Sequence, residues 1–295
     1  MSQTLMMIIN PAAGRCKYKS GLAEALKILA DAGYVTSLFF TEYVGHATEL
    51  AKAHAEEFDK ILVLGGDGTL GEVVSGLMTL DARPQVGYIP IGTANDIART
   101  FKLPKGDIIE GAKRFAEGKP FAFDTGKRNG GYFNYVAAFG AFAKVSYGTP
   151  QNLKNQYGQG AYMAGAVKAI LGMKPVKVRV EYDGGEFEGE AIYGGINNSY
   201  SLGGVVDMPP DTVLLDDGKF ELVIVKNPPS FGALTALAAQ VLTHHYDSEY
   251  IIIEKTEKAK FYFEEPQHLT VDGEKSELLT ELDFEICPKA IELIC

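Results

Sequence analysis

The chain has 295 residues, 46% of them hydrophobic and 22% charged, with a formal net charge of −10. That length is natural for two hydrophobic cores, and the acidic balance argues against a general nucleic-acid binder. Three cysteines, Cys16, Cys287 and Cys295, lie far apart without metal-ligand spacing, which suggests a reducing compartment rather than a disulfide scaffold. The N-terminus has no basic n-region, and the apolar run at 5–9 is too short for a signal peptide. No run of 18 apolar residues occurs, since the longest candidate, 161–173, is interrupted by Lys168; no membrane span is expected.

Strand and helix patterns alternate from the start. Residues 5–9 read as a strand, followed by Asn10-Pro11-Ala12-Ala13-Gly14-Arg15. Leu22, Leu26 and Leu29 then share one helix face, and Gly33 stops that helix. A second strand is predicted at 35–40 and a helix at 46–57. The third unit opens on Ile61-Leu62-Val63-Leu64, a buried strand, and continues into Gly65-Gly66-Asp67-Gly68-Thr69-Leu70-Gly71-Glu72. Thr69 and Glu72 have the T-x-x-E spacing of a capping box, which predicts a helix start at Thr69. A further strand at 86–90 completes a βαβαβαβ order, hence a doubly wound, mostly parallel sheet over residues 1–124.

Ligands bind such sheets beyond the C-terminal strand ends. Asn10, Thr41, Gly65 to Gly71 and Ile91-Gly92-Thr93-Ala94-Asn95-Asp96 all fall there. A strand, a glycine turn and a helix N-terminus make an anion site, because outward N–H groups face a ligand that no side chain obstructs. Asp67 inside that cradle calls for a divalent metal or a transferable proton beside the phosphate.

After residue 124 short alternating strands dominate, at 132–138, 176–182, 187–194, 219–225, 250–254, 258–263, 268–271, 283–286 and 291–294. They predict an antiparallel β-sandwich over 125–285, with helical insertions at 152–173 and at 230–243, the latter capped by Ser230. The tail 286–295 could belong to either domain. Between Thr125 and Val180 there is no Asp or Glu, against Lys127, Arg128, Lys144, Lys154, Lys168, Lys174, Lys177 and Arg179. Such segregation is a hint of a functional surface.

The common phosphate motifs fail. No Gly-Lys pair is followed by Ser or Thr, so there is no P-loop. Gly66, Gly68 and Gly71 formally match G-x-G-x-x-G, but the next strand ends in Pro90-Ile91-Gly92 with no acid for a ribose. Asn10-Pro-x-x-Gly14, Gly65-Gly-Asp-Gly-Thr-Leu70, Pro90-Ile-Gly-Thr-Ala-Asn-Asp96, Leu215-Asp-Asp-Gly218 and Val271-Asp-Gly-Glu274 occur in that order. Together they resemble the diacylglycerol kinase catalytic-domain family of lipid kinases, over essentially the whole chain and nearest to its soluble Gram-positive branch.

That resemblance implies an ATP- and Mg²⁺-dependent lipid kinase making phosphatidic acid from diacylglycerol, with an NAD kinase/diacylglycerol kinase-like fold. Asn10, Pro11, Ala12, Ala13, Gly14, Thr41, Gly65, Gly66, Asp67, Gly68, Thr69, Leu70, Gly71, Thr93 and Asn95 would bind the nucleotide. Asp67, Asp96 and Asp124 would hold catalytic Mg²⁺, partly through water. Glu274 would be the general base, with Asp272 orienting it or the metal waters. A structural Mg²⁺ would sit on the Asp217 carboxylate and the carbonyls of Leu214 and Lys219. Carboxylates with Mg²⁺ suffice for phosphoryl transfer, which needs positioning and charge neutralisation more than covalent help. Gly71 and Ser75 stand where many members have Asn, which weakens polar contacts near the nucleotide; Lys275-Ser276 stands where small or aromatic residues are more usual, so acceptor shape is the open variable.

Two enzyme readings remain beside diacylglycerol: another lipid such as sphingosine or phosphatidylglycerol, or NAD. A nucleotide- or lipid-sensing protein on a retained kinase fold is the non-enzyme reading. A lipid kinase without a spanning helix must visit the bilayer, and the acid-free segment offers an anionic-membrane contact worth about 1 kcal/mol per Lys or Arg. The expected location is the cytoplasm, with reversible attachment to the inner face of the membrane. A homodimer is expected from the resemblance alone.

Overall fold

The apolar runs at 5–9, 61–64 and 86–90 are buried on both faces, as unbroken apolar strands require. In a computed structural model the described residues are 2–15, 19–93, 95–140, 174–202, 206–207, 213–242, 249–272 and 274–295. They divide into two compact units. The first comprises Met1–Gly126, Gly130–Asn134 and Cys287–Cys295; the second comprises Lys127–Asn129 and Tyr135–Ile286.

In the first unit β1 (Gln3–Ile9), β2 (Tyr34–Phe40), β3 (Lys60–Gly65) and β4 (Gln85–Pro90) alternate with α1 (Leu22–Asp31), α2 (His46–His54), α3 (Asp67–Leu77), α4 (Asp96–Thr100) and α5 (Ile108–Glu117). These four strands pair in parallel: β1 with β2 and β3, and β3 with β4. Leu293 and Ile294 of the tail add a further parallel pairing to β4. The tail strand is therefore part of this sheet. Leu5, Met7, Ile9, Leu62, Leu64, Ile89 and Phe115 form its core. Burying each such side chain is worth about 1.5–3 kcal/mol.

Register sets the site. Ile9 pairs with Phe40 and Leu64, and Gly65 with Pro90. The loops that follow β1 to β4 consequently leave the sheet along one edge. Helix α5 was not foreseen, although Asp107-Ile108-Ile109-Glu110 carries a capping signal, and the Asp107 carboxylate accepts the Glu110 N–H at 3.0 Å. Strand β5 (Pro120–Arg128) was also missed. The predicted strand at 132–138 is two, β6 (Gly131–Phe133) and β7 (Val136–Gly140).

The second unit is antiparallel throughout its described pairings. It contains β7, β8 (Val176–Tyr182), β9 (Gly185–Asn197), β10 (Ser201–Leu202), β11 (Val206–Asp207), β12 (Phe220–Lys226), β13 (Ile251–Thr256) and β14 (Lys258–Val271). Strand β15 (Glu274–Ile294) begins in this unit and ends in the first. β9 and β14 change partners along their lengths, so that β7, β9, β8 and β14 close a ring of pairings. Phe139 packs edge-on against Phe263 at 5.1 Å, and Phe261 against Phe284 at 5.5 Å. The helix Phe231–Leu242 follows Ser230, whose Oγ accepts the Ala233 N–H at 3.2 Å, as predicted. The insertion predicted at 152–173 lies outside the described residues.

Candidate active site

The loop after β1 is built by Asn10. Its Oδ1 accepts the Ala12 N–H at 3.0 Å, its Nδ2 donates to Thr69 Oγ1 at 2.9 Å, and its own N–H bonds Leu64 O. Gly14 follows with φ 58°, a left-handed conformation that glycine adopts at no steric cost. Thr41 is buried, and its N–H bonds Ile9 O. One side chain thus ties the first loop to the glycine turn after β3.

The predicted capping box at Thr69 and Glu72 is not formed. Helix α3 starts two residues earlier, at Asp67, with Gly66 as an N-cap that makes no side-chain bond. Thr69 lies inside the first turn, holding Asn10, and Glu72 serves another helix. The Glu72 carboxylate accepts the Gly45 and Ala47 N–H groups at 2.9 and 3.2 Å, capping α2 from α3. A glycine N-cap leaves the first α3 N–H groups without a competing side chain, and the first turn of a helix has no intrahelical acceptor for them. Leu70 contributes nothing outward: its side chain is buried and its N–H bonds Gly66 O.

The turn after β4 packs against this one. Ile91 N–H donates to Gly65 O at 2.8 Å. A Cβ on Gly92 would come within 2.7 Å of the Gly66 Cα, so the two loops touch through glycine backbone. Asn95, buried at φ 57°, donates from Nδ2 to Gly92 O, while Thr93 is exposed and its carbonyl accepts from Lys105.

Asp67 is the hinge of the arrangement. Its Oδ2 accepts the Asp96 N–H at 2.9 Å; its Oδ1 takes the Ile97 N–H at 3.3 Å and the Tyr88 hydroxyl at 3.4 Å. It is 7% exposed, as is Asp96. The carboxylate of one helix start therefore caps another, and it brings two acids to one place. Burial raises the Asp96 carboxyl above its ordinary range, against the pull of Arg99 and Lys105. Burial, then the Asp67 charge, lifts the Tyr88 phenol well above its usual value, so it stays a neutral donor. Its hydroxyl also lies 3.3 Å from Asn95 Oδ1. Sequence reasoning missed Tyr88 because in an apolar strand a tyrosine reads as core.

Asp124 is fully buried on β5, and its Oδ1 accepts the Lys289 N–H of the tail at 2.7 Å. Among the described residues no group of three or more His, Cys, Asp and Glu stands ready to hold a metal directly. A cation at this site would rest on the Asp67–Asp96 pair and on water.

In the second unit Asp272, at φ 46°, accepts the Tyr135 and Val136 N–H groups on Oδ1 at 3.0 and 3.1 Å. It anchors the β14–β15 turn to the start of β7. Glu274 opens β15 and is exposed; Gly273 lies outside the described residues. Asp217 Oδ1 accepts the Lys219 N–H at 3.1 Å, and its Oδ2 meets Lys255 Nζ at 2.6 Å, while Leu214 is half exposed.

The acid-free segment is not acid-free in space. Lys127 pairs with Glu285, Arg128 with Glu277, Lys177 with Glu264 and Arg179 with Glu181. Lys144, Lys154 and Lys168 lie outside the described residues. No helix among the described residues is long and apolar enough to cross a membrane.

The sequence profile described as "Diacylglycerol kinase catalytic domain" matches residues 4–128. A second, the "YegS C-terminal NAD kinase beta sandwich-like domain", matches 136–295. The chain is 37% identical to the diacylglycerol kinase of Bacillus subtilis, over 92% of this chain and 90% of the relative. The chain belongs to the diacylglycerol kinase catalytic-domain family. A diacylglycerol kinase of Staphylococcus aureus is 38% identical over 93% of this chain and 87% of its own. A crystal structure of a putative diacylglycerol kinase from Bacillus anthracis superposes with a TM-score of 0.82 at 28% identity, covering 99% of this chain and 97% of that one. The family members carry this architecture of an α/β domain followed by a mostly β domain.

Proposed function

We propose that this chain transfers the γ-phosphoryl group of ATP to the free hydroxyl of diacylglycerol, giving phosphatidic acid. The observation that carries the reading is Asp67. It is the first residue of a helix, behind a glycine N-cap, with its carboxylate next to Asp96 at the C-terminal edge of a parallel sheet. Family membership with two diacylglycerol kinases at 37–38% identity supports the acceptor.

The residues fit a nucleotide and a divalent cation. Gly66 and Gly92 meet backbone to backbone, a close approach that a Cβ on Gly92 would prevent, and the α3 N-terminus faces out beside them. Bound Mg²⁺ would supply charge neutralisation on the transferring phosphoryl group. Asp67 and Asp96 would hold it, and Asp124 would contribute through water. Asn10 positions the first loop against Thr69, so the Asn10 to Gly14 backbone, Thr41, Gly65 to Gly71, Thr93 and Asn95 line the nucleotide side. Glu274 takes the proton from the lipid hydroxyl as its oxygen attacks phosphorus. Asp272 is a positioning residue that fixes the turn carrying Glu274. The protein works from the cytoplasm at the inner membrane face, where diacylglycerol resides. With four of the described basic residues ion-paired, the contact with anionic lipid falls to Lys174 and to Lys144, Lys154 and Lys168. A homodimer is the expected assembly.

Labelled ATP offered with diacylglycerol, sphingosine, phosphatidylglycerol and NAD in parallel tests the reading. Label in phosphatidic acid supports it. Label in another acceptor gives the family chemistry a different substrate, and ATP binding without transfer to any acceptor makes the chain a sensor.

A further inference from the structure

The strand order β4-β3-β1-β2 sets the direction in which a nucleotide can extend. Its phosphates belong over the glycine turn after β3, and on the β4 side that turn meets Gly92 and the Asp67–Asp96 pair. The open direction runs across β1 to the end of β2. Thr41 N–H bonds Ile9 O and Asn10 N–H bonds Leu64 O, so the three strand ends lie level. Two strand spacings put Thr41 about 10 Å from the glycine turn, the reach of a nucleotide from its phosphates to its base.

An aromatic pair stands at that end. Tyr43, two residues past Thr41, is stacked on His46 with ring centroids 4.6 Å apart and planes 7° from parallel. Its hydroxyl donates to Glu49 Oε2 at 2.6 Å, and His46 Nδ1 accepts the Glu42 N–H at 3.0 Å. Both rings are therefore fixed before any ligand arrives. The Glu72 carboxylate of α3 receives the Gly45 and Ala47 N–H groups, which ties this loop to the helix that begins at Asp67. With one face on His46 and 54% of the residue exposed, the Tyr43 ring keeps an open face, and Val44 beside it is 87% exposed. A ring held rigid in water gains little from burial, but it is a preorganised platform for a flat π-system.

We propose that Tyr43 is the base-stacking residue of the nucleotide site: the purine of ATP lies on the Tyr43 face opposite His46, completing a stack of three rings. The inference rests on the kinase reading and adds the subsite for the base. The glycine turns offer backbone donors, which suit phosphates, whereas a flat base is held by a π-face.

The test is calorimetric binding to the full chain, with Mg²⁺ and no lipid, of ATP and of tripolyphosphate, which lacks the base and ribose. Tyr43→Ala should weaken ATP binding by roughly 5- to 100-fold, the worth of one base–aromatic stack, and leave tripolyphosphate binding unchanged. Tyr43→Phe keeps the ring and loses only the bond to Glu49, so it should bind ATP like the wild type. A fluorescent aminopurine analogue of ATP should be quenched on binding the wild type and Tyr43→Phe, and far less on binding Tyr43→Ala. The stack is overturned, with the kinase reading intact, if Tyr43→Ala binds ATP as tightly as the wild type. It is equally overturned if that variant loses tripolyphosphate in the same measure as ATP. A wild type that binds neither ATP nor tripolyphosphate overturns the kinase reading and the stack together.

Discussion

Replacing Asp67 by alanine separates what its carboxylate holds from what it does. The side chain is 7% exposed and receives two backbone N–H groups, from Asp96 and Ile97, and the Tyr88 hydroxyl. Removing the acceptor leaves buried donors, each costing about 1–3 kcal/mol when unsatisfied. Only the Asp96 bond is short, so a total near the low end, about 2–4 kcal/mol, is expected. Urea unfolding monitored by circular dichroism reads that loss. Catalysis should lose more: one preorganised charged group at the transferring phosphate is worth roughly 3–4 kcal/mol, about 10²–10³ in kcat. Asp67→Asn keeps one oxygen for Tyr88 or a backbone N–H, so it should recover about 1 kcal/mol or more of the stability but not the rate. The comparison is made below the unfolding transition of both variants. A folded Asp67→Asn protein with near-normal turnover would refute the role given to Asp67.

Other consequences follow from the same geometry. Tyr88→Phe removes one neutral donor to Asp67 and Asn95; it should cost about 0.5–1.5 kcal/mol and slow turnover by roughly 3- to 10-fold without weakening ATP binding. Steady-state kinetics with a binding titration checks the split. Glu221 is raised by burial to about 8, against an ordinary 4.5. The unfolded chain therefore loses that proton first, and stability should fall as pH rises from about 4.5 toward 8, at up to about 1.4 kcal/mol per pH unit. Glu221→Gln should flatten that slope in unfolding measured across the range. Charge reversal at Lys154 and Lys168 should weaken sedimentation with anionic vesicles, by roughly 1 kcal/mol per residue or more, and leave ATP binding unchanged.

The strand–loop edge was legible because its signals are local. Apolar runs of four to six residues ending in Asn10, Thr41, Gly65 and Pro90 set both the parallel sheet and the edge that carries the site. The helix start at Asp67 was misread because T-x-x-E is a local pattern, while Glu72 had a partner in α2 that no local pattern reveals. Strand β5 escaped because it begins with Pro120 and carries Gly126. That glycine is required, since a Cβ would lie 2.0 Å from the Phe133 ring. Strand β14 read as two strands because Glu264-Glu265-Pro266 interrupts the alternation; the structure keeps one strand with a register shift between Tyr262 and Gln267, the place where a proline is tolerated. The first half of β15 is exposed and charged, so it lacked an apolar face to detect. The acidic partners of the basic segment were invisible for the same reason as Tyr88 and Lys255. Their meaning lies in which strand stands beside them.

Glu274→Gln joins the chemistry to the acceptor in one measurement. Transfer of label from ATP to diacylglycerol in mixed micelles is followed for the wild type and for this variant, with ATP affinity measured alongside. The account predicts labelled phosphatidic acid from the wild type, a loss of at least about 10²-fold in the variant, the scale of a general base, and unchanged ATP affinity. Equal rates for the two proteins, or no label in phosphatidic acid from the wild type, would contradict it.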